Sequence, residues 1–310
     1  MKFRGSWFGL VLVVFSGILF GCNPTISKQL QLDGMDPYSI CFFSQAISFF
    51  LLLIFSGSGN RRVAVSRKEL FELAVVGIAG MGATTLLLNL AYRDISVGTA
   101  TCIHFTYPSL VLLVMALVFK ERFTFRKLLA ICCSLLGVFF LVGDTAGPGD
   151  PKGLFFALCS AVTFSFYLIA NGRLSIRRLP VLTRLTYANF FSALCMLPVC
   201  LLRNGPSLPA KPALLLLSLL VGTCGHILLN CGINLCGPAL SAFASMSEPI
   251  TSTVLSVLII HESAGPFKIT GLLLIILSIG FTAQQGGRRP PIPQEVSEDD
   301  NTFSHSPCNH

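Results

Sequence analysis

Charge is what this sequence has least of. Only 12% of its 310 residues are Asp, Glu, Lys or Arg, against about 25% in a typical soluble domain. With 53% hydrophobic residues and a mean hydropathy of +0.75, that scarcity excludes a soluble globular chain and indicates an integral membrane protein. The marks of familiar chemistries are missing as well. No GxxxxGK[ST] phosphate loop occurs, so nothing points to ATP as an energy source. Without HExxH, a metal-spaced Cys/His set or a Gly-x-Ser-x-Gly turn, no catalytic residue, metal ligand or cofactor is expected. An embedded enzyme normally needs paired acids or metal ligands at interior depth, and one acid lies there. The twelve cysteines form no CxxC. Most of them (Cys41, Cys102, Cys132, Cys133, Cys159, Cys195 and Cys224) sit inside apolar runs and read as buried small hydrophobes. The +8 net charge does not imply nucleic acid, because the basic residues lie in short loops between apolar runs.

What is present is a series of ten apolar segments, at about 7–27, 38–56, 70–91, 97–119, 126–143, 153–171, 184–202, 213–235, 239–260 and 267–284. Most have the length a spanning helix needs. The expected fold is all-α, with ten transmembrane helices. Asp33-Gly34, Gly57 to Asn60, Gly147 to Pro151 and Asn204 to Pro209 supply turns between segments. Residues 286–310 are polar, Pro-rich and without periodicity, which predicts a disordered cytoplasmic tail. The first run ends Leu19-Phe20-Gly21-Cys22, resembling a lipoprotein signal. Phe20 is a poor residue just before Gly-Cys, and cleavage would spoil the even helix count, so an uncleaved helix is expected.

Basic residues set the orientation. With the N-terminus inside, sixteen fall on the inner side: Lys2, Arg4, Arg61, Arg62, Arg67, Lys68, Lys120, Arg122, Arg126, Lys127, Arg173, Arg177, Arg178, Arg184, Arg288 and Arg289. Six fall outside, at Lys28, Arg93, Lys152, Arg203, Lys211 and Lys268. The expected location is the cytoplasmic (inner) membrane, multi-pass, with both termini cytoplasmic.

A shift of 141 residues aligns Asn89 with Asn230, Pro108 with Pro249, Glu121 with Glu262 and Lys127 with Lys268. LLLNLAY then falls on ILLNCGI, and VFKERF on IIHESA. The repeat boundaries are read as 1–145 and 146–285, five helices each. An odd number makes the second copy enter the membrane the other way round, giving two inverted five-helix repeats.

The ninth segment carries the sharpest candidate. Glu248 lies roughly 14 Å along the helix at 1.5 Å per residue, near the midplane. Ser241, Ser245, Glu248, Ser252 and Ser256 share its face. A carboxylate in hydrocarbon costs at least ~2.5–3.5 kcal/mol, so it should face protein or water. Under the repeat, His104 is the mate of Ser245 and Tyr107 that of Glu248. If both faces meet at the pseudo-two-fold axis, a carboxylate, an imidazole and a phenol converge there. Such a group can hold an amine or exchange a proton; alternatively, Glu248 permanently bonds a neighbouring helix. Pro108 and Pro249 interrupt their helices, either lining a cavity or only kinking the chain. Thr85, Asn89 and Arg93 mirror His226, Asn230 and Asn234, and both stripes are expected to face the interior, for interhelical bonding or cavity lining. Asn23-Pro24, Tyr167 and Asn171 are polar points for a vestibule. Glu121 and Glu262, at membrane edges, are read as gate or structure.

With these residues the chain resembles the EamA-type permeases of the drug/metabolite transporter superfamily. The resemblance rests on the 5+5 pattern, on Pro108 followed by Glu121 and Pro249 followed by Glu262, and on closing helices LLAICCSLLGVFFLV and ITGLLLIILSIGFTA. It implies a secondary transporter working by alternating access, commonly an exporter, of a small-molecule substrate in the lipid bilayer. The cargo expected is a small polar metabolite, an amino acid or related amine, with proton coupling suggested by Glu248 and His104. The superfamily allows a homodimer, although no GxxxG lies on the fifth or tenth helix to build one. The alternatives are an integral-membrane enzyme acting on lipid or prenyl substrates and a non-transporting membrane receptor.

Overall fold

A computed structural model of the protein describes residues 2–57, 64–95, 97–121, 124–142, 150–203, 205–251 and 265–283. Every regular element among them is helical. They run α1 (Lys2–Phe20), α2 (Asn23–Leu32), α3 (Pro37–Gly57), α4 (Arg67–Val75), a π segment (Val76–Gly82), α5 (Ala83–Asp94), α6 (Val97–His104), α7 (Tyr107–Leu117) and α8 (Phe125–Val142). There follow α9 (Pro151–Arg173), a 3₁₀ turn (Ser175–Arg178), α10 (Val181–Leu201), α11 (Pro212–Cys236), α12 (Pro238–Ala244) and α13 (Pro266–Ala283). Between α12 and α13, residues 247–251 are helical.

Six stretches are long and apolar enough to cross a membrane: Ser6–Leu32, Pro37–Phe55, Arg67–Asp94, Pro151–Arg173, Val181–Leu201 and Pro212–Cys236. Phe50, Phe55, Phe71 and Phe155 on these stretches, with Phe125 and Phe139 on α8, are exposed, a surface that suits lipid and not water. Two cysteines expected to be buried, Cys132 and Cys224, are exposed there too, whereas Cys41 and Cys200 are buried. A thiol costs little against lipid, so apolar context in the sequence did not distinguish core from lipid face.

Several segments expected to be continuous helices are broken. The first is interrupted at Gly21-Cys22 and then continues to Leu32, beyond its predicted end. The fourth breaks at Phe105-Thr106, and the ninth breaks at Ser245-Met246. In both, the break precedes the proline. Pro108 is the second residue of α7, and Pro249 falls in the first turn of 247–251. A helix start has free N–H groups in any case, so the prolines begin new helices there and do not kink old ones.

The principal packing pairs are α8 with α13, α1 with α11, α3 with α10 and α5 with α9, followed by the π segment with α10 and α9, and α7 and α6 with α9. Each joins an early segment to a late one. Glycines set the closest approaches. A Cβ at Gly17 would meet the Ser247 hydroxyl at 2.0 Å, and one at Gly21 the Glu248 carbonyl at 2.9 Å. The Gly17-x-x-x-Gly21 face of α1 therefore lies directly against the turn that carries Glu248. Gly137 of α8 approaches Gly271 and Ile275 of α13 in the same way, so the fifth and tenth segments pack on each other within one chain.

Polar ties close the two ends of the bundle. At one end Ser66 and Glu69 form a capping box on α4, and Glu69 also pairs with Arg178. Glu72 accepts from the Ser175 hydroxyl at 2.6 Å, and Glu121 pairs with Arg173 and Lys127. At the other end Lys211 pairs with Asp33, and Asp36 caps α3 by accepting from the Tyr38 and Ser39 amides. Asp36 also accepts from the Ser207 hydroxyl at 2.7 Å. Burial pushes the Asp36 carboxyl up, but bonds from the Ser39 and Ser207 hydroxyls and the Ser39 and Tyr38 amides hold it below the ordinary carboxylate value. A lowered native value stabilises the fold above the unfolded pKa and is lost as pH falls through the native one. Asp36→Ala should therefore lower stability by about 1 kcal/mol at neutral pH. In thermal unfolding of the purified protein, the gap between variant and wild type should close as the buffer becomes acidic.

Candidate functional site

The breaks and glycine contacts converge on a cavity of about 150 Å³. Its wall is drawn from α1, α2, α3, the π segment, α5, α6, α9, α10 and α11, with Glu248 entering from the short helix after the break in the ninth segment. Among the described residues it holds one carboxylate and no lysine or arginine. The Glu248 carboxylate accepts no hydrogen bond and makes no ion pair among the described residues; the Tyr92 and Tyr107 phenols lie within electrostatic reach. It is half-buried. Such an acid, held in a polar pocket with its valence unspent, is placed to receive a cationic group or a proton.

Four of the residues expected at the site line this cavity: Glu248, His104, Asn89 and His226. His104 shares a hydrogen bond with the Ser160 hydroxyl at 2.9 Å. Asn89 donates to the Thr85 carbonyl at 2.9 Å and receives the Gln31 amide at 3.2 Å. His226 is bonded to the Gly222 carbonyl at 2.8 Å. Three others stand behind the wall. Tyr107 is buried against the rings of His104 and Phe164, with its phenol beside Ser245. The Ser245 hydroxyl donates to the Ser241 carbonyl at 2.9 Å, and Ser241 donates to Gly237 at 2.8 Å. Asn230 donates to the Tyr167 hydroxyl at 2.6 Å. The serine stripe thus satisfies its own backbone, a local use that spacing alone does not reveal. Ser252, Ser256 and Glu262 lie outside the described residues.

Arg93 departs from its expected stripe. It is exposed and pairs with Asp94, because at the end of α5 a guanidinium reaches water. Glu121 pairs with Lys127 and Arg173 at a bundle end. The polar points Asn23 and Tyr167 do reach the cavity, while Asn171 lies deeper and bonds the Tyr167 carbonyl at 3.0 Å.

Spacing overlooked several lining residues. Gln45 donates to the Thr85 hydroxyl at 3.3 Å, and Ser48 shares a 2.7 Å bond with Thr223. Asn189 and Ser218 also line the wall. Each is a polar side chain in an apolar helix, the same signal that marks Asn89, and could have been read that way. Phe164 and Tyr167 stack at 5.9 Å, and Phe20 and Tyr167 meet the His226 ring edge-on at 4.9 and 6.0 Å. These rings add π faces beside the acid, a combination suited to an ammonium group.

The cavity makes an accessibility prediction. In a background without the native cysteines, Gln45→Cys should react with a small water-soluble thiol reagent about tenfold faster than Asn230→Cys, since thiolate reactivity follows exposure. Mass spectrometry of the labelled protein measures both rates; equal rates would contradict the wall described above.

Comparison with known proteins agrees with this architecture. The model of the EamA-like transporter family matches residues 7–143 and again 151–284. The chain is 24% identical over 292 residues to the "uncharacterized inner membrane transporter YicL" of Salmonella typhimurium, covering 91% of this chain and 97% of that one. It is 29% identical over 226 residues to an "uncharacterized transporter" of Synechocystis sp., covering 70% and 68%. A solved crystal structure shares the fold with a TM-score of 0.72 at 18% identity, over 91% of this chain and 99% of that one. The chain is a multi-pass membrane protein, and it belongs to the EamA-like transporter family.

Proposed function

We propose that the protein is a secondary transporter that moves a small polar metabolite bearing an amino group, an amino acid or related amine, outward across the cytoplasmic membrane by alternating access. The observation that carries this reading is the Glu248 carboxylate, unpaired among the described residues in a cavity without lysine or arginine. A cargo ammonium and a proton compete for that one acid. Loading the amine from one side and a proton from the other would couple export to proton entry. His104, 5% exposed and bonded to Ser160, lines the same cavity as a second proton-bearing group.

Ten helices in two inverted repeats, 1–145 and 146–285, provide the moving parts. Three observations support this: the two family matches, the breaks in both the fourth and ninth segments, and the packing pairs. Exchanging the halves maps α1 with α11 onto α9 with α5, and maps α3 with α10 and α8 with α13 each onto itself. That is the behaviour of a two-fold axis lying in the membrane plane. Rocking one half on the other would open the cavity to each side in turn. Both termini are assigned to the cytoplasm by the sixteen-to-six distribution of basic residues.

Two experiments test the reading. In proteoliposomes carrying a pH gradient, labelled amines and amino acids should show gradient-dependent flux that falls about tenfold or more in Glu248→Gln, the scale of one charge-assisted contact. Flux and pH dependence unchanged by that substitution would defeat the role given to Glu248. For the topology, impermeant labelling of single cysteines should report Glu121→Cys and Glu262→Cys on opposite sides of the membrane; finding both on one side would end the inverted repeat.

A further inference from the structure

Arg184 is the fourth residue of α10, and it is 1% exposed. Its Nη1 donates to the Asn171 carbonyl at 3.0 Å and lies 3.4 Å from Asn171 Oδ1, and Nη2 donates to Asn234 Oδ1 at 2.9 Å. All of these acceptors are neutral. Nε is buried without a partner. Among the described residues no carboxylate pairs with this guanidinium. Glu69, Glu72 and Glu121, at the same end of the bundle, are each committed to other partners. A full positive charge is thus held inside the protein with amide oxygens as its hydrogen-bond acceptors, and the Tyr167 phenol, the Cys231 thiol and the Arg177 guanidinium lie within electrostatic reach. If the side chain served only to pin α9, α10 and α11 together, a neutral residue would do so without the desolvation cost of a buried ion. Retaining the charge calls for an anion.

The position connects this charge to the cavity. On α11, His226 lines the cavity, Asn230 lies one turn further and Asn234 one turn beyond that, roughly 12 Å along the axis. Tyr167 and Asn171 run beside them on α9, and Asn189 of α10 lines the cavity about 7.5 Å along the axis from Arg184. Hydrogen bonds link this column from Tyr167 through Asn230, and from Asn171 and Asn234 to Arg184. Halfway down, Asn230 Oδ1 is also buried without a partner. The column therefore carries an idle acceptor above an idle donor. The Nε–Nη2 edge of a guanidinium is the edge that grips a carboxylate with two parallel bonds.

We propose that Arg184 is a carboxylate-binding station in the half of the pathway that is sealed in this structure, and that the cargo is accordingly a zwitterion. Its amino group engages Glu248 when the cavity is open, and its carboxylate engages Arg184 when the Tyr167–Asn230–Asn234 column parts. This rests on the transport reading above and narrows its substrate class.

The test compares L-alanine, L-threonine and L-leucine with alaninol, threoninol and leucinol, in which the carboxylate is replaced by a hydroxymethyl group. Binding is read by thermal shift of the purified protein, and movement by counterflow in proteoliposomes. Wild type should prefer at least one amino acid over its amino alcohol by about tenfold or more, the scale of a bidentate charged contact. Arg184→Gln should erase that preference and leave amino-alcohol binding unchanged, with Arg184→Lys intermediate. Asn234→Asp, which supplies the absent counterion, should melt higher than wild type yet lose the amino-acid preference; it also carries the test if Arg184→Gln does not fold.

Equal binding of acid and alcohol by wild type would overturn the carboxylate station and leave the Glu248 reading standing. So would equal losses for both classes in Arg184→Gln, or an Asn234→Asp protein that is more stable and keeps its preference, since both mark Arg184 as a helix pin. If no amino acid or amino alcohol binds or moves in wild type, this inference and the amine reading fall together.

Discussion

Within a bilayer an unpaired backbone amide or carbonyl costs several kcal/mol, and that constraint decides where the helices of this chain can break. Among the described residues, hydroxyls tie the chain to facing helices beside the breaks in the fourth and ninth segments. Ser247 donates to the Val14 carbonyl at 2.9 Å beside the break in the ninth segment. Ser165 reaches the Tyr107 carbonyl at 3.2 Å beside the break in the fourth. Thr84 covers the Gly80 carbonyl at 2.6 Å within the π segment. Small residues on the facing helices let these groups come within bonding distance, and Gly17 and Gly21 against the Glu248 turn are the plainest case. The turn at Ser245-Met246 starts a new helix whose first turn carries Glu248 to the shared space. The polar cavity and the broken backbone are thus two results of one arrangement.

The same constraint explains how much was legible in the sequence. Polar side chains in apolar runs are costly unless they face the interior, so Glu248, His104, Asn89 and His226 could be picked out and do line the cavity. The rule finds residues that avoid lipid; it does not separate those that touch the cavity from those one layer behind. Tyr107, Ser245 and Asn230 fall in that second layer, where packing of whole helices decides the outcome. The rule weakens at helix ends, where a long side chain reaches water. Arg93 does so.

Arg184 is the converse case. Six residues beyond Arg178 and next to an apolar run, it reads as one more basic loop residue. Its burial follows from the way the first turn of α10 tucks between Asn171 and Asn234, two residues 63 positions apart in the chain. No local pattern encodes that meeting. The prolines illustrate a similar limit: their presence signalled interruptions, but whether each ends a helix or begins one depends on the turn ahead of it, which tertiary contacts shape.

The packing of early on late segments bears on how such a chain is made. When only the first five segments have left the ribosome, α1 lacks α11, α3 lacks α10, α5 lacks α9 and α8 lacks α13. The nascent half must wait in the membrane with its glycine grooves and its cavity-facing amides uncovered, since contacts distant in sequence form late. Synthesis that stops near the midpoint leaves a set of individually stable helices with few of their proper neighbours. In such a protein the second half completes, helix by helix, the interfaces that the first half leaves open, and assembly extends across the whole length of the chain.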